Sequence, residues 1–121
     1  MRYLTEPEVL ELHRLAVERY GGASGLRRRA ILSGAVGAAR ASFGGAILHP
    51  DPVFLAAAYA FYIVKDHPFL DGNKRTALAA CDAALQLNGH EVPSERESEF
   101  ERHIWGLASG TVGKADFTEW L

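Results

Sequence analysis

Cysteine is almost missing from this chain, because Cys81 is the only one among 121 residues. A single thiol cannot close an internal disulfide, which excludes the small disulfide-held secreted domains and favours a reducing, cytoplasmic setting. An excess of positive charge is missing too: 13 lysines and arginines face 15 acidic residues, for a net charge of −2. Broad binding to nucleic acid needs a basic face, so we expect no direct nucleic-acid binding.

Long hydrophobic runs and strand-like segments are also missing. The longest apolar run, from Val53 to Val64, is much shorter than the roughly 20 residues that a membrane-spanning helix needs. The N-terminus leads straight into an amphipathic segment, so we expect neither a signal peptide nor a membrane anchor. With no strand periodicity, repeat or linker, the sequence predicts one all-α domain over residues 1–121.

Apolar residues recur at helical spacing in about six segments, which predicts a compact helical bundle. Thr5 and Glu8 form a capping box that starts the first helix, and Gly21-Gly22 ends it. The segment after Asp51-Pro52 is apolar on every side and predicts a buried central helix. The other predicted helices are two short ones over 24–41, one over 76–87, one that follows a capping box at Ser94 and Glu97, and one over 115–121. Residues 43–51 are predicted to form a loop.

The isolated histidines and one short basic run are interpreted as structural. His13 lies near the apolar face of the first helix, and we expect it at the surface or at the core boundary, with no part in chemistry. The three arginines at 27–29 make a weak patch, so a solvated face is expected rather than a site for a nucleotide or an acidic partner.

The nine residues from His67 to Arg75 place polar chemistry between two apolar helical segments. Pro68 and Gly72 interrupt helices, so the stretch is predicted to be a loop that ends where the next helix begins. A helix start carries free N–H groups and partial positive charge, and a glycine there lets an anion approach closely. We therefore expect the backbone N–H groups from Gly72 to Lys74 to bind a phosphoryl group.

The polar side chains of this stretch fit phosphoryl or nucleotidyl transfer, in which catalysis is mostly positioning and charge stabilisation. His67 titrates near neutrality and can take a proton from an attacking hydroxyl. Asp71 can hold Mg²⁺ on phosphate oxygens. Lys74 and Arg75 can neutralise the developing charge, while the amide of Asn73 fixes the loop.

The nine residues, HPFLDGNKR, resemble the signature of the Fic/Doc superfamily, H-x-F-x-[DE]-[GA]-N-[GK]-R, and Lys74 matches its Doc (death-on-curing) branch. Weaker similarities cover nearly the whole chain, at Tyr3-Leu4-Thr5, Tyr20-Gly21-Gly22, Gly25-Leu26 and Trp120-Leu121. The resemblance implies the all-α Fic/Doc fold and ATP and Mg²⁺ as cofactors. It implies His67 as the catalytic residue, Asp71 as the metal ligand, and the nucleotide-binding residues Phe69, Gly72, Asn73, Lys74 and Arg75.

By this resemblance the chain is expected to be a toxin of a type II toxin–antitoxin system. Such a toxin would transfer the γ-phosphoryl group of ATP to a threonine of elongation factor Tu and so block translation. Two alternatives stay open, namely AMP transfer of the Fic type and a nucleotide-binding regulatory module without activity. Leu78 replaces the second arginine of Fic AMP transferases, and Ala79 replaces an asparagine of the Doc branch.

Control of such an activity is expected to come from a second protein. Many Fic proteins carry an inhibitory helix with the pattern [ST]-x-x-x-E-[GN], but no glutamate here is followed by glycine or asparagine. The resemblance therefore implies a Phd-like antitoxin, whose C-terminal segment folds as a helix on the toxin, a recognised mode of helix-in-groove binding.

Overall fold

The computed structural model describes residues 2–44 and 51–121, with side chains described for 2–41 and 51–121. These residues form six α-helices and one short 3₁₀ helix, without a strand, which confirms the predicted all-α bundle. The helices are α1 (Glu6–Tyr20), α2 (Arg29–Gly44), α3 (Pro52–Asp66), α4 (Asn73–Leu87), α5 (Glu97–Ser109) and α6 (Lys114–Trp120), with the 3₁₀ helix (Ser94–Arg96) before α5.

Helix α3 is the centre of the packing, as its uniformly apolar sequence predicts. It contacts α2, α4, α5 and α6, and the residues from Leu55 to Ala60 are all buried. The Asp51 carboxylate caps its first turn by accepting the Val53 N–H at 2.9 Å. A rigid helix held on four sides fixes where its C-terminal end delivers the chain, and that end leads into the polar stretch at His67.

The capping box at the start of α1 is confirmed. The Thr5 hydroxyl accepts the Glu8 N–H at 3.3 Å, and the Glu8 carboxylate accepts the Thr5 N–H at 3.0 Å. The second bond is the main reason that the pKa of Glu8 lies below its ordinary value. The backbone N–H groups of Thr5 and Glu8 thereby both have acceptors, which fixes the residue at which α1 begins.

Two predictions about local structure are wrong. The 24–41 region does not form two short helices, because α2 continues from Arg29 past Gly34 and Gly37 without a break. Burial of Leu32 and Ala39 against the core outweighs the weak helix propensity of the glycines. The Ser94 capping box is also absent, since these residues form the 3₁₀ helix and α5 starts at Glu97 without a side-chain cap.

The C-terminal helix and the single thiol are packed as predicted. Phe117 of α6 is buried, and Trp120 donates its indole N–H to the Glu99 carboxylate at 2.8 Å. Cys81 lies in the core, where burial raises the pKa of its thiol. The predicted loop over 43–51 falls partly within α2, and its residues 45–50, including His49, lie outside the described residues. Over the parts of the chain that the structure describes, no helix is long and apolar enough to cross a membrane.

Candidate functional site

The loop between α3 and α4 starts with a strained residue. His67 ends α3 in the left-handed region at φ 50° and ψ 60°, and among the described residues it is the only non-glycine with positive φ. Such a conformation costs free energy and persists only where the surroundings hold it. The exposed His67 side chain is thereby turned out of the helix, toward the pocket that the loop borders.

Arg27 holds this helix end, although all three arginines at 27–29 are exposed, as expected of a solvated face. Its guanidinium donates to the carbonyl oxygens of His67 at 2.9 Å and Asp66 at 3.3 Å. These are carbonyls that the end of α3 leaves without an intrahelical partner. The Arg27 backbone N–H also donates to the Pro68 carbonyl at 2.9 Å, so one residue binds the loop through both its backbone and its side chain.

A short antiparallel bridge pairs Leu26 with Phe69 and ties the α1–α2 connection to the loop. Besides the bond from Arg27, the Leu70 N–H donates to the Gly25 carbonyl at 3.1 Å. Gly25 has φ +120°, a conformation that L side chains rarely adopt, and the Leu70 side chain lies against it. The loop is thus held along one side by a segment more than forty positions earlier in the sequence.

Asn73 closes the loop from the other side. Its side-chain oxygen accepts the Phe69 N–H at 3.0 Å, and its side-chain amide donates to the Phe69 carbonyl at 3.0 Å. Asn73 is buried, and the Phe69 ring is only 1% exposed. The Phe69 ring therefore supports the loop from inside the core and does not line the pocket. Its part in binding nucleotide stays a prediction.

His13 lies beneath the same loop, which corrects its expected place at the surface or boundary. It is 5% exposed, its ring stacks on Phe69 with the centroids 3.8 Å apart and the planes at 5°, and its Nε2 lies 2.8 Å from the Asp71 carbonyl oxygen. Sequence reasoning missed this residue because its partners lie in a loop that is distant in the sequence.

The Asp71 side chain is exposed but oriented. Its Oδ1 accepts the Gly72 N–H at 2.8 Å, and its Oδ2 accepts the Ala23 N–H at 3.3 Å. Gly22, at φ +110°, lies so close that a Cβ there would be 2.6 Å from Oδ2. In this conformation the Gly72 N–H is bonded to the Asp71 carboxylate, and its binding of phosphate stays a prediction.

Helix α4 begins in the loop with an open N-terminus. Gly72, at φ 77°, precedes it without a side-chain cap, and the first turn holds no acidic residue. The N–H groups of Asn73, Lys74 and Arg75 belong to this first turn, where intrahelical acceptors are lacking. The partial positive charge of the helix start and the two cations together favour an anion at this place.

Aromatic rings from α1 and α5 hold the cations. The Arg75 guanidinium carbon lies 4.3 Å from the Tyr20 ring centroid and 4.8 Å from that of Trp105, and one nitrogen is 3.4 Å from the Glu101 carboxylate. The Lys74 ammonium lies 5.1 Å from the Trp105 ring centroid. These contacts already restrict the two cationic side chains, so the side chains lose less rotamer freedom when they bind an anion. The sequence analysis predicted neither ring as part of the site. The only signal for them was Trp105, which lies one position off the apolar face of α5.

The loop and these side chains border an open pocket of about 1020 Å³, which exceeds the usual size of a small-molecule site. Every predicted site residue except Phe69 lines it, and α5 and the turn after it add Arg102, Trp105, Ser109 and Thr111. Three cations thus face one carboxylate, a balance that suits a polyanionic ligand such as a nucleotide.

The surroundings of Asp71 suit Mg²⁺ better than a metal ion whose ligands all come from the protein. Within residues 2–44 and 51–121, no group of three or more His, Cys, Asp or Glu could hold a metal ion. Magnesium is commonly bound by one or two carboxylates together with water and substrate phosphates, so a single exposed carboxylate in the pocket fits that ion. Each carboxylate oxygen of Asp71 has a further lone pair that can bind the ion.

Comparisons with known proteins find a matching family model and similar relatives. Residues 3–85 match the model of the Fic/DOC family. The chain is 30% identical to "Protein kinase doc" of Escherichia phage P1 over 115 residues, which cover 95% of this chain and 83% of that relative. It is 32% identical to "Toxin Doc" of Mycolicibacterium smegmatis over 93 residues, 77% of this chain and 69% of that relative. The family match includes the whole loop but not Trp105.

Proposed function

Because this chain belongs to the Fic/DOC family, we propose that it is a Doc-like toxin that transfers the γ-phosphoryl group of ATP to a protein hydroxyl. The observation that carries the proposal is one pocket lined by an exposed His67, an exposed Asp71 and an uncapped helix start with two cations. The names of the relatives, a protein kinase and a toxin, support the same reading. The target that we propose, a threonine of elongation factor Tu, would place the reaction in the cytoplasm.

His67 acts as the general base in this proposal. It accepts the proton of the acceptor hydroxyl as the oxygen attacks the γ-phosphorus, and the bond to the β,γ-bridging oxygen breaks so that ADP leaves. The N–H groups of Asn73, Lys74 and Arg75, with the two cationic side chains, stabilise the charge on the transferred group. Asp71 would hold Mg²⁺, which supplies further neutralisation of the phosphates.

AMP transfer is the alternative that the pocket leaves open. It uses the same base, but the acceptor attacks the α-phosphorus and pyrophosphate leaves. The Lys74 ammonium lies 5.1 Å from the Trp105 ring centroid, and Lys74 lines the pocket. By the resemblance to the Doc branch, a lysine at this position fills space that a nucleotide would otherwise use, which favours phosphoryl transfer. ATP labelled at the α or the γ position separates the two reactions, since only the transferred group stays on the target.

The test is induced expression in a bacterium of the wild type, His67→Ala and a control variant, His90→Ala. His90 is also exposed and lies outside the pocket. Loss of a positioned general base costs about 10²–10⁴-fold in rate. We expect growth arrest, and a phosphate-sized mass gain on elongation factor Tu, with the wild type and His90→Ala only. Arrest by His67→Ala would refute the assigned base, and an adenylyl-sized gain would establish AMP transfer.

A Phd-like antitoxin is the proposed inhibitor, and a groove next to the pocket is its proposed seat. This groove, of about 510 Å³, lies between α1, α4 and the 91–101 segment. Its apolar lining includes Leu12, Leu15, Leu78, Val92 and Phe100. Four carboxylates line it against two arginines, a balance that suits an amphipathic helix with basic residues. Tyr20 and Arg75 line both the groove and the pocket, so an occupant would lie directly beside the anion site.

A further inference from the structure

The buried His13 has no part in the reaction described above, yet it contacts the loop at two points. Its ring stacks on Phe69, and its Nε2 lies 2.8 Å from the Asp71 carbonyl oxygen. The ring also lies close under Gly72, where an added Cβ would be 3.6 Å from Cδ2 and Nε2. His13 does not line the pocket, so any effect on a bound ligand must pass through the loop.

The partner of His13 determines its tautomer. A backbone carbonyl oxygen only accepts hydrogen bonds, so the hydrogen at Nε2 must belong to the imidazole. His13 is therefore a donor to Asp71, with Nε2 protonated. This assignment follows from the 2.8 Å contact alone and does not depend on the charge of the ring.

The same peptide unit connects His13 to the Asp71 carboxylate. Its carbonyl accepts from His13, while its N–H, which belongs to Gly72, donates to Asp71 Oδ1 at 2.8 Å. A peptide unit is planar, and its C=O and N–H point in opposite directions in the trans form. Fixing the carbonyl on one side thus aims the N–H at the carboxylate on the other, and a rotation of the plane would break both bonds together.

We propose that His13 is a positioning residue that sets the orientation of the Asp71 carboxylate through the peptide between Asp71 and Gly72. The significance of that orientation for Mg²⁺ rests on the proposed function, whereas the chain of hydrogen bonds does not. Groups that orient a metal ligand from behind typically contribute about 10–100-fold to metal affinity or activity. His13 would hold Asp71 in that way without touching metal or nucleotide.

Two substitutions separate the hydrogen bond from packing. His13→Phe keeps an aromatic ring against Phe69 and removes the donor. His13→Gln removes the ring but can present a side-chain N–H near the position of Nε2. If His13 served only to pack, the phenylalanine variant would behave like the wild type and the glutamine variant would be the impaired one. Positioning of Asp71 predicts the opposite order.

The first measurement is the Mg²⁺ concentration for half-maximal ATP-dependent modification. We expect it to rise about 10–100-fold in His13→Phe, with a smaller rise in His13→Gln. The second is hydrogen exchange of the Gly72 amide, which should accelerate in His13→Phe while helix α3 stays protected. Unchanged Mg²⁺ dependence and unchanged Gly72 exchange in a folded His13→Phe would overturn the proposal.

A third measurement needs no variant and no activity. The ¹⁵N shifts of the His13 ring in the wild-type protein report the tautomer, and we expect the proton at Nε2. A ring protonated at Nδ1 alone would refute the inference even if both variants failed to fold. If the wild type modified no protein at all, the proposed function would fail, while the exchange and the tautomer would still decide the role of His13.

Discussion

Replacing Asn73 with alanine tests whether the loop depends on one side chain. The Asn73 side chain accepts the Phe69 N–H and donates to the Phe69 carbonyl, both at 3.0 Å. The bridge to Leu26 is bonded through Pro68 and Leu70 instead. Asn73→Ala therefore leaves an N–H and a C=O without their partner in a buried environment.

The expected loss of stability follows from these two groups. A buried polar group that loses its partner costs about 1–3 kcal/mol, and water can reach this site in part because Asn73 is 9% exposed. We therefore expect a total loss of about 2–4 kcal/mol. At about 2.1 cal/mol/K per residue, the unfolding entropy of a chain of this length is about 250 cal/mol/K, so the Tm should fall by about 8–16 °C.

Thermal unfolding followed by circular dichroism measures this shift, and hydrogen exchange at the Phe69 amide locates it. Lys74→Ala is the matched control, because Lys74 follows Asn73 in the same helical turn but is exposed. We expect the control to change the stability by less than about 0.5 kcal/mol. A Tm for Asn73→Ala within about 2 °C of the wild type, with the Phe69 amide still protected, would refute the reasoning.

Two further predictions concern the core and the groove. Burial raises the pKa of Cys81, so its contribution to stability is complete below the unfolded-state pKa of about 8.5 and is lost as the pH rises toward the native value. The free energy of unfolding should fall above that pH, by at most about 1.4 kcal/mol per unit, and Cys81→Ala should flatten this decline; an equal decline in both proteins would contradict it. Leu15→Asp should abolish neutralisation by a co-expressed Phd-like antitoxin while toxicity persists, because Leu15 is 47% exposed in the groove. Full neutralisation of that variant would exclude this groove as the binding face.

The helices were predictable where local signals were complete. Thr5 with Glu8, and Asp51 with Pro52, mark helix starts because each pair satisfies backbone groups within one turn. Prediction failed at α2 because tertiary burial outweighs local propensity there. It failed again at Ser94, where a capping pattern occurs in a 3₁₀ turn instead.

The site was predictable to the extent that it is contiguous in sequence. Seven of the residues that line the pocket fall within 67–75, so spacing alone brings them to one loop and one helix start. Four residues from other elements contact the loop or the Arg75 guanidinium, and no local pattern predicts this proximity. They are Arg27, His13, Tyr20 and Trp105. The sequence therefore reveals the candidate reactive groups but not the side chains that hold them.

The attachment of Arg27 to the end of α3 also bears on the order of folding. Its two side-chain bonds join residues 39 and 40 positions apart, and contacts of such separation must overcome the entropy of closing a long chain segment. The left-handed turn at His67 depends on this closure. A chain that opens locally at this contact would keep its packed helices while the loop comes apart. The loop is thus expected to be among the first parts of the structure that are lost on unfolding.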